Sequence, residues 1–201
     1  MKKIVLLCLT IILISYNYLF GFSAGFMGSG AAKNAGGGAP TCSETPAVSN
    51  TSIADYDSMG STGGEAYRGQ SDWVPGSNQT ICRVDFYIKG ADASTDYAAV
   101  VYNLSGTAIG TEVDASDTSG LSADSWVSFT GLSAAVTTGG NYAIVLQHYP
   151  NQEAYSAGSQ MYHSAAGDGG VTGTHSTWWG DDQNENDAFA GDISIKIYYL
   201  E

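Results

Sequence analysis

Two adjacent tryptophans, Trp178 and Trp179, stand one glycine before the polar run DDQNEND, which Ala188 and Phe189 follow. Two chemistries fit such a stretch. Sugar rings present apolar C–H faces that stack on aromatic planes, while their hydroxyls need carboxylate and amide partners. Trp179, Trp178, Tyr155 and Tyr162 would supply the rings, with Tyr149 nearby, and Asp181 and Asn184 the polar partners. A hard cation such as calcium instead takes oxygen ligands, for which Asp181 and Asp187 are the candidates. Asp181, Gln183, Glu185 and Asp187 alternate, and Asp192 stands twelfth counting from Asp181. An EF-hand, however, needs glycine where Asn186 stands, glutamate where Asp192 stands, and flanking helices that the pattern does not predict. Calcium would therefore need another loop geometry, and a solvated turn is the competing reading.

Neighbouring side chains on an extended backbone point to opposite faces. One tryptophan can then close a core while the other meets ligand, with Trp179 the outward candidate and Trp178 paired with Phe189 as the hydrophobic ends of a wet loop. Catalysis has less to work with. His148, His163 and His175 are the only histidines, and no G-x-S-x-G elbow, H-E-x-x-H pair or P-loop accompanies them. A glycan hydrolase needs only two carboxylates across a cleft, which linear spacing cannot reveal. The expectation is a non-catalytic protein without a resident cofactor, calcium being the one candidate.

The elements that must position these residues begin after an export segment. Lys2 and Lys3 precede the uncharged run IVLLCLTIILI, and the chain turns small and polar by GFSAG at 21–25. That order predicts a signal peptide over residues 1–24, with a retained signal anchor as the alternative. Without that segment five basic residues face twenty acidic ones, a net charge of −15. This disfavours nucleic acid and anionic membrane surfaces as partners and suits a secreted or cell-surface protein.

Cys42 and Cys82 are then the only cysteines left, and an oxidising compartment predicts a disulfide between them, with two free thiols as the alternative. Loop entropy assigns a bridge of this span about 4 kcal/mol. Residues 25–46 are rich in Gly and Ala and read as a flexible linker, leaving 47–201 as a single domain.

In that domain the apolar period is two. ICRVDFYIKG puts Cys82, Val84, Phe86 and Ile88 on one face and Arg83, Asp85, Tyr87 and Lys89 on the other. DISIKIYYL likewise turns Ile193, Ile195, Ile197 and Tyr199 inward and Ser194, Lys196 and Tyr198 outward. Strands are also predicted over 96–103, 125–131 and 141–149, and weaker ones near 52–58, 66–73, 107–113, 154–157 and 160–163, each bounded by turn residues. Eight to ten short strands predict an all-β antiparallel sandwich, a jelly roll by preference, in which each sheet has one buried and one wet face.

The order of pieces resembles choice-of-anchor domains of the R type, β-sandwich modules of exported and phage-associated proteins. The resemblance runs from about Tyr67 to the C-terminus. It is carried by ICRVDFYIKG, VVYNLSGTAIGT, the W-x-x-F strand of Trp126 to Phe129, TTGGNYAIVL, and the closing Thr177-Trp178 and Asp187-Ala188-Phe189. It implies an exported accessory or surface domain rather than a reaction. The leading expectation is a module that binds carbohydrate or another cell-surface ligand through a loop-edge or sheet-face aromatic patch, as in adhesion. Self-assembly into a surface layer, filament or virion is the rival reading.

Overall fold

The computed structural model describes residues 39–58, 65–90, 96–106, 108–119, 122–148, 160–164, 171, 173–179, 185–189 and 191–201. These form twelve strands and no helix: β1 (Val48–Asn50), β2 (Asp55–Ser58), β3 (Glu65–Trp73), β4 (Gln79–Gly90), β5 (Asp96–Ser105), β6 (Ala108–Ser119), β7 (Ser125–Val136), β8 (Tyr142–His148), β9 (Gln160–His163), β10 (Thr174–Trp179), β11 (Glu185–Phe189) and β12 (Ile195–Tyr199). They make two antiparallel sheets packed as a sandwich. The second sheet runs β11-β10-β3-β8-β5-β6, and the first is built on β4.

β4 pairs with β7 along one edge, while β12 and then β9 share the other, and β1 and β2 flank those two in turn. At the splice between β9 and β12 the Ser164 amide donates to the Asp192 carbonyl and the Ser194 amide to the Tyr162 carbonyl, each at 2.8 Å.

Between the sheets lies the core expected from the alternation. Val84, Phe86 and Ile88 of β4 and Ile193, Ile195 and Ile197 around β12 are completely buried, and Phe86 meets Phe129 edge to face at 5.9 Å. A bulge refines the pattern at the start of β4. Cys82 is an extra residue against β12, so Ile81 as well as Val84 enters the core, while Cys82 bonds to Cys42. The matching irregularity on β7 includes Gly131 at φ +85°, a conformation open to glycine.

The disulfide spans 40 residues with a Cα–Cα distance of 5.6 Å, the bond expected of a chain folded in an oxidising compartment. It belongs to a segment that already runs along the end of β12: Thr41 and Glu201 exchange backbone hydrogen bonds, and Ser43 donates to Tyr199. Ala47 extends the same contact by donating to the Ile197 carbonyl.

Three expectations change. Residues 185–189, read as part of a wet loop, are strand β11 paired to β10, and β10 itself was not foreseen. The strand expected over 154–157 lies outside the described residues. Nor does every sheet have one wet face. Ala98, Val100 and Tyr102 of β5 and Ala143 and Val145 of β8 form a second buried cluster on the side opposite the main core. DYAAVVYN and NYAIVL carry the continuous apolar run of strands buried on both faces.

A buried polar knot joins the sheets at the splice. The Asp192 carboxylate accepts from Gln70 Nε2 at 2.7 Å and the Val171 amide at 3.3 Å, and Asn50 Nδ2 donates to the carbonyls of Asp192 and Ile193, both at 2.9 Å. Gln70 reaches across from the second sheet and also accepts from the Ile193 amide. Asp192, the twelfth position of the supposed calcium loop, is thereby 4% exposed and occupied by protein donors.

Candidate functional site

The outward face of the first sheet collects what the sequence scatters. Tyr87 alternates with core residues Phe86 and Ile88 and so points out. Trp126 stands an odd three residues from buried Phe129 and does the same. They are direct cross-strand partners, with rings 5.3 Å apart at 88°. Across the other edge of β4, Tyr162 of β9 meets Tyr87 at 5.1 Å, and Tyr56 of β2, paired in register with Tyr162, meets it at 6.1 Å. Tyr56, Tyr162, Tyr87 and Trp126 therefore form an edge-to-face row crossing four strands. Successive rings sit about one strand spacing apart. Tyr56 is 43% exposed at the outer end.

A turn fixes the hydroxyls of this row. Asp124 has φ 49°, a left-handed conformation that aspartate tolerates better than most residues. Its carbonyl accepts from Tyr87 Oη at 3.1 Å and its carboxylate from Tyr162 Oη at 3.4 Å.

Cations lie over the rings. Lys196 Nζ is 3.8 Å from the centroid of Trp126, and Lys89 Nζ is 4.6 Å from Tyr56 and 5.2 Å from Tyr162, within the range of cation–π attraction. Lys89 also donates to Tyr162 Oη at 3.1 Å, and chiefly this hydrogen bond raises its pKa above the ordinary lysine value. Arg83 is engaged differently. Its Nε and Nη2 grip both oxygens of Asp85 at 2.7 Å, and its guanidinium covers Tyr198 at 4.3 Å. The hydrogen bond to Asp85 raises the Arg83 pKa. Tyr198 Oη donates to the same carboxylate at 2.8 Å, and burial first, then that bond, pushes the Tyr198 pKa up to about 12. Asp85, 1% exposed, is thus closed off by its partners.

Chemically this is a row of rings, set edge to face in turn, with hydroxyl and ammonium donors. Asp85 has both oxygens bound, so its carboxylate is not available to a ligand. Two hollows among the described residues lie elsewhere, at the end of the sandwich around Gln79 and Leu200.

Of the residues singled out in the sequence, Tyr162 alone has a described place in this row. Trp178 and Trp179 lie on β10 of the second sheet, opposite Tyr67 and Glu65 of β3. Trp179 and Tyr162 therefore do not share a sheet. Asp187 is opposite Thr177 on β11. The side chains of Trp178, Trp179 and Asp187, and all of Tyr155, Asp181 and Asn184, are outside the described residues. No three His, Cys, Asp or Glu side chains converge among those described.

Tyr56, Tyr87, Trp126, Lys89 and Lys196 were missed as a site. The alternation showed Tyr87, Lys89 and Lys196 as outward, and the W-x-x-F spacing carries the same signal for Trp126. Comparison with protein-family models, curated proteins and solved structures finds no match to this chain.

Proposed function

We propose that this chain is an exported, non-catalytic β-sandwich module that binds carbohydrate on the outward face of its first sheet. The observation that carries the reading is the row Tyr56, Tyr162, Tyr87 and Trp126 with the two lysines above it. Aromatic planes bordered by hydroxyl and ammonium donors suit the alternating apolar faces and hydroxyl edges of a saccharide. A row that crosses four strands favours an extended chain over a small molecule, which would need a concave pocket. The closed coordination of Asp85 supports binding over hydrolysis, because a glycosidase needs two working carboxylates. Export is supported by the leader-like N-terminus and the disulfide.

The test is a panel of plant, algal and bacterial polysaccharides, neutral and acidic, against the full-length chain made in an oxidising host. At least one should bind, and Trp126→Ala should weaken that binding roughly ten-fold or more with the fold intact by circular dichroism. Silence across the panel, with and without calcium, sinks the proposal.

A further inference from the structure

The same face carries information about the charge of its ligand. Beyond residue 24 the chain has five basic residues, Lys33, Arg68, Arg83, Lys89 and Lys196, against twenty acids. Three of the five are on this one face, while Arg68 is buried on β3 of the other sheet. Arg83 is committed to Asp85. Lys89 and Lys196 have no carboxylate within ion-pair distance among the described residues. Among the described residues, two of these few cations are thus held against rings and not by a carboxylate.

Their position over the rings matters. A neutral sugar stacking on Trp126 must displace the ammonium of Lys196, at 3.8 Å, and lose a cation–π contact. A sugar bearing an anionic group meets that ammonium as a partner, and anion, cation and ring then stack in favourable order. Lys196 pairs in register with Asp85, four residues from Lys89 along β4, roughly 13 Å apart as backbone positions, and the two ammoniums stand toward opposite ends of the row, one over Trp126 and the other by Tyr56 and Tyr162. One monosaccharide cannot span them, whereas an extended polymer with a charge on its repeating unit can.

We infer that the ligand of this face is an acidic polysaccharide, whose carboxylate or sulfate groups are taken by Lys89 and Lys196 while its rings lie along the aromatic row. This rests on the carbohydrate reading above and adds the ligand's charge. Nucleic acid fits less well. Duplex DNA carries a charge about every 1.7 Å, far denser than two lysines can match on a protein of net charge −13.

The experiment uses pairs of polymers that share a backbone and differ in charge: polygalacturonate against its methyl ester, and dextran sulfate against dextran, in EDTA. Titration calorimetry on the full-length chain should find at least one charged member bound ten-fold or more tighter than its neutral twin, weakening as salt rises. The double variant Lys89→Gln/Lys196→Gln should lose that preference, and Lys89→Arg/Lys196→Arg should keep most of it, showing that charge and not packing is read.

Equal binding of charged and neutral twins overturns the acidic preference while leaving the carbohydrate reading in place. Binding to none of these polymers or of the wider panel overturns both. Duplex DNA bound as tightly as the acidic polymers, or self-association of the chain that the glutamine variant abolishes, overturns the inference in favour of a general polyanion or a second copy.

Discussion

The two sheets share a core but not an exterior. On the first, β4 alternates beyond its bulge at Cys82, and its outward positions carry Tyr87, Lys89 and the Arg83–Asp85 pair beside Trp126, Tyr162 and Lys196. On the second, the outward positions of β5 and β8 are Ala98, Val100, Ala143 and Val145, completely buried, with Tyr102 and Gln147 beside them hydrogen-bonded to each other and buried as well. One exterior is built of large amphipathic side chains that reach water with their polar ends, whereas the described side chains of β5 and β8 on the other are withdrawn from it.

The contrast is testable, most severely on the second sheet. Val145→Asp would bury a carboxylate among Ala98, Val100 and Ala143, with the Tyr102 hydroxyl already given to Gln147, and a loss of about 4 kcal/mol or more is expected in urea unfolding. If the variant unfolds at the wild-type midpoint, the second exterior is not a core. Neighbouring residues on β4 separate the two faces of the first sheet. Phe86→Ala should cost about 3–5 kcal/mol. Tyr87→Ala, one residue on, should cost only about 1 kcal/mol yet abolish glycan binding. Comparable stability losses would erase the distinction between an inner and an outer face there.

The smallest effect concerns pH. Tyr198 has a pKa of about 12 in the folded chain against an ordinary 10, so the folded state holds this proton more tightly than the unfolded one. Its contribution to stability is complete below pH 10 and is lost as pH rises from 10 through about 12. In Tyr198→Phe, urea midpoints should fall less steeply over that window. An unchanged slope would mean that the Asp85 cluster does not govern alkaline stability.

How much of this was legible follows from which contacts are local. Alternation placed β4 and β12, because period two is a property of consecutive residues, and Gln160–His163 emerged with its full bounds. The disulfide followed from counting cysteines in an exported chain. β10 and β11 were missed because THSTWW and ENDAF do not alternate apolar with polar. They are strands through pairing with β3 and with each other, a tertiary effect. The dry exterior of the second sheet was written in YAAVVY and YAIVL, runs too continuously apolar for a half-wet strand.

The site was harder. Its rings come from positions 56, 162, 87 and 126, four strands that adjoin only through sheet order. Local spacing gave each side chain its face and none of its neighbours. The densest aromatic and acidic stretch in the chain drew attention because it is contiguous, whereas a sheet platform is assembled across the chain.

The splice beside β4 has a consequence for how the aromatic row is held. Between Ser164 and Asp192 the chain leaves the first sheet, contributes the β10–β11 hairpin to the edge of the second, and returns to within one hydrogen bond of its departure point. Both ends of the excursion are pinned by the Asp192 knot. β10 and β11 are therefore inserted between two backbone points fixed on the first sheet, so the strands on either side, with Tyr162 before the insertion and Lys196 after it, are held beside β4 by contacts that do not depend on the tryptophan pair.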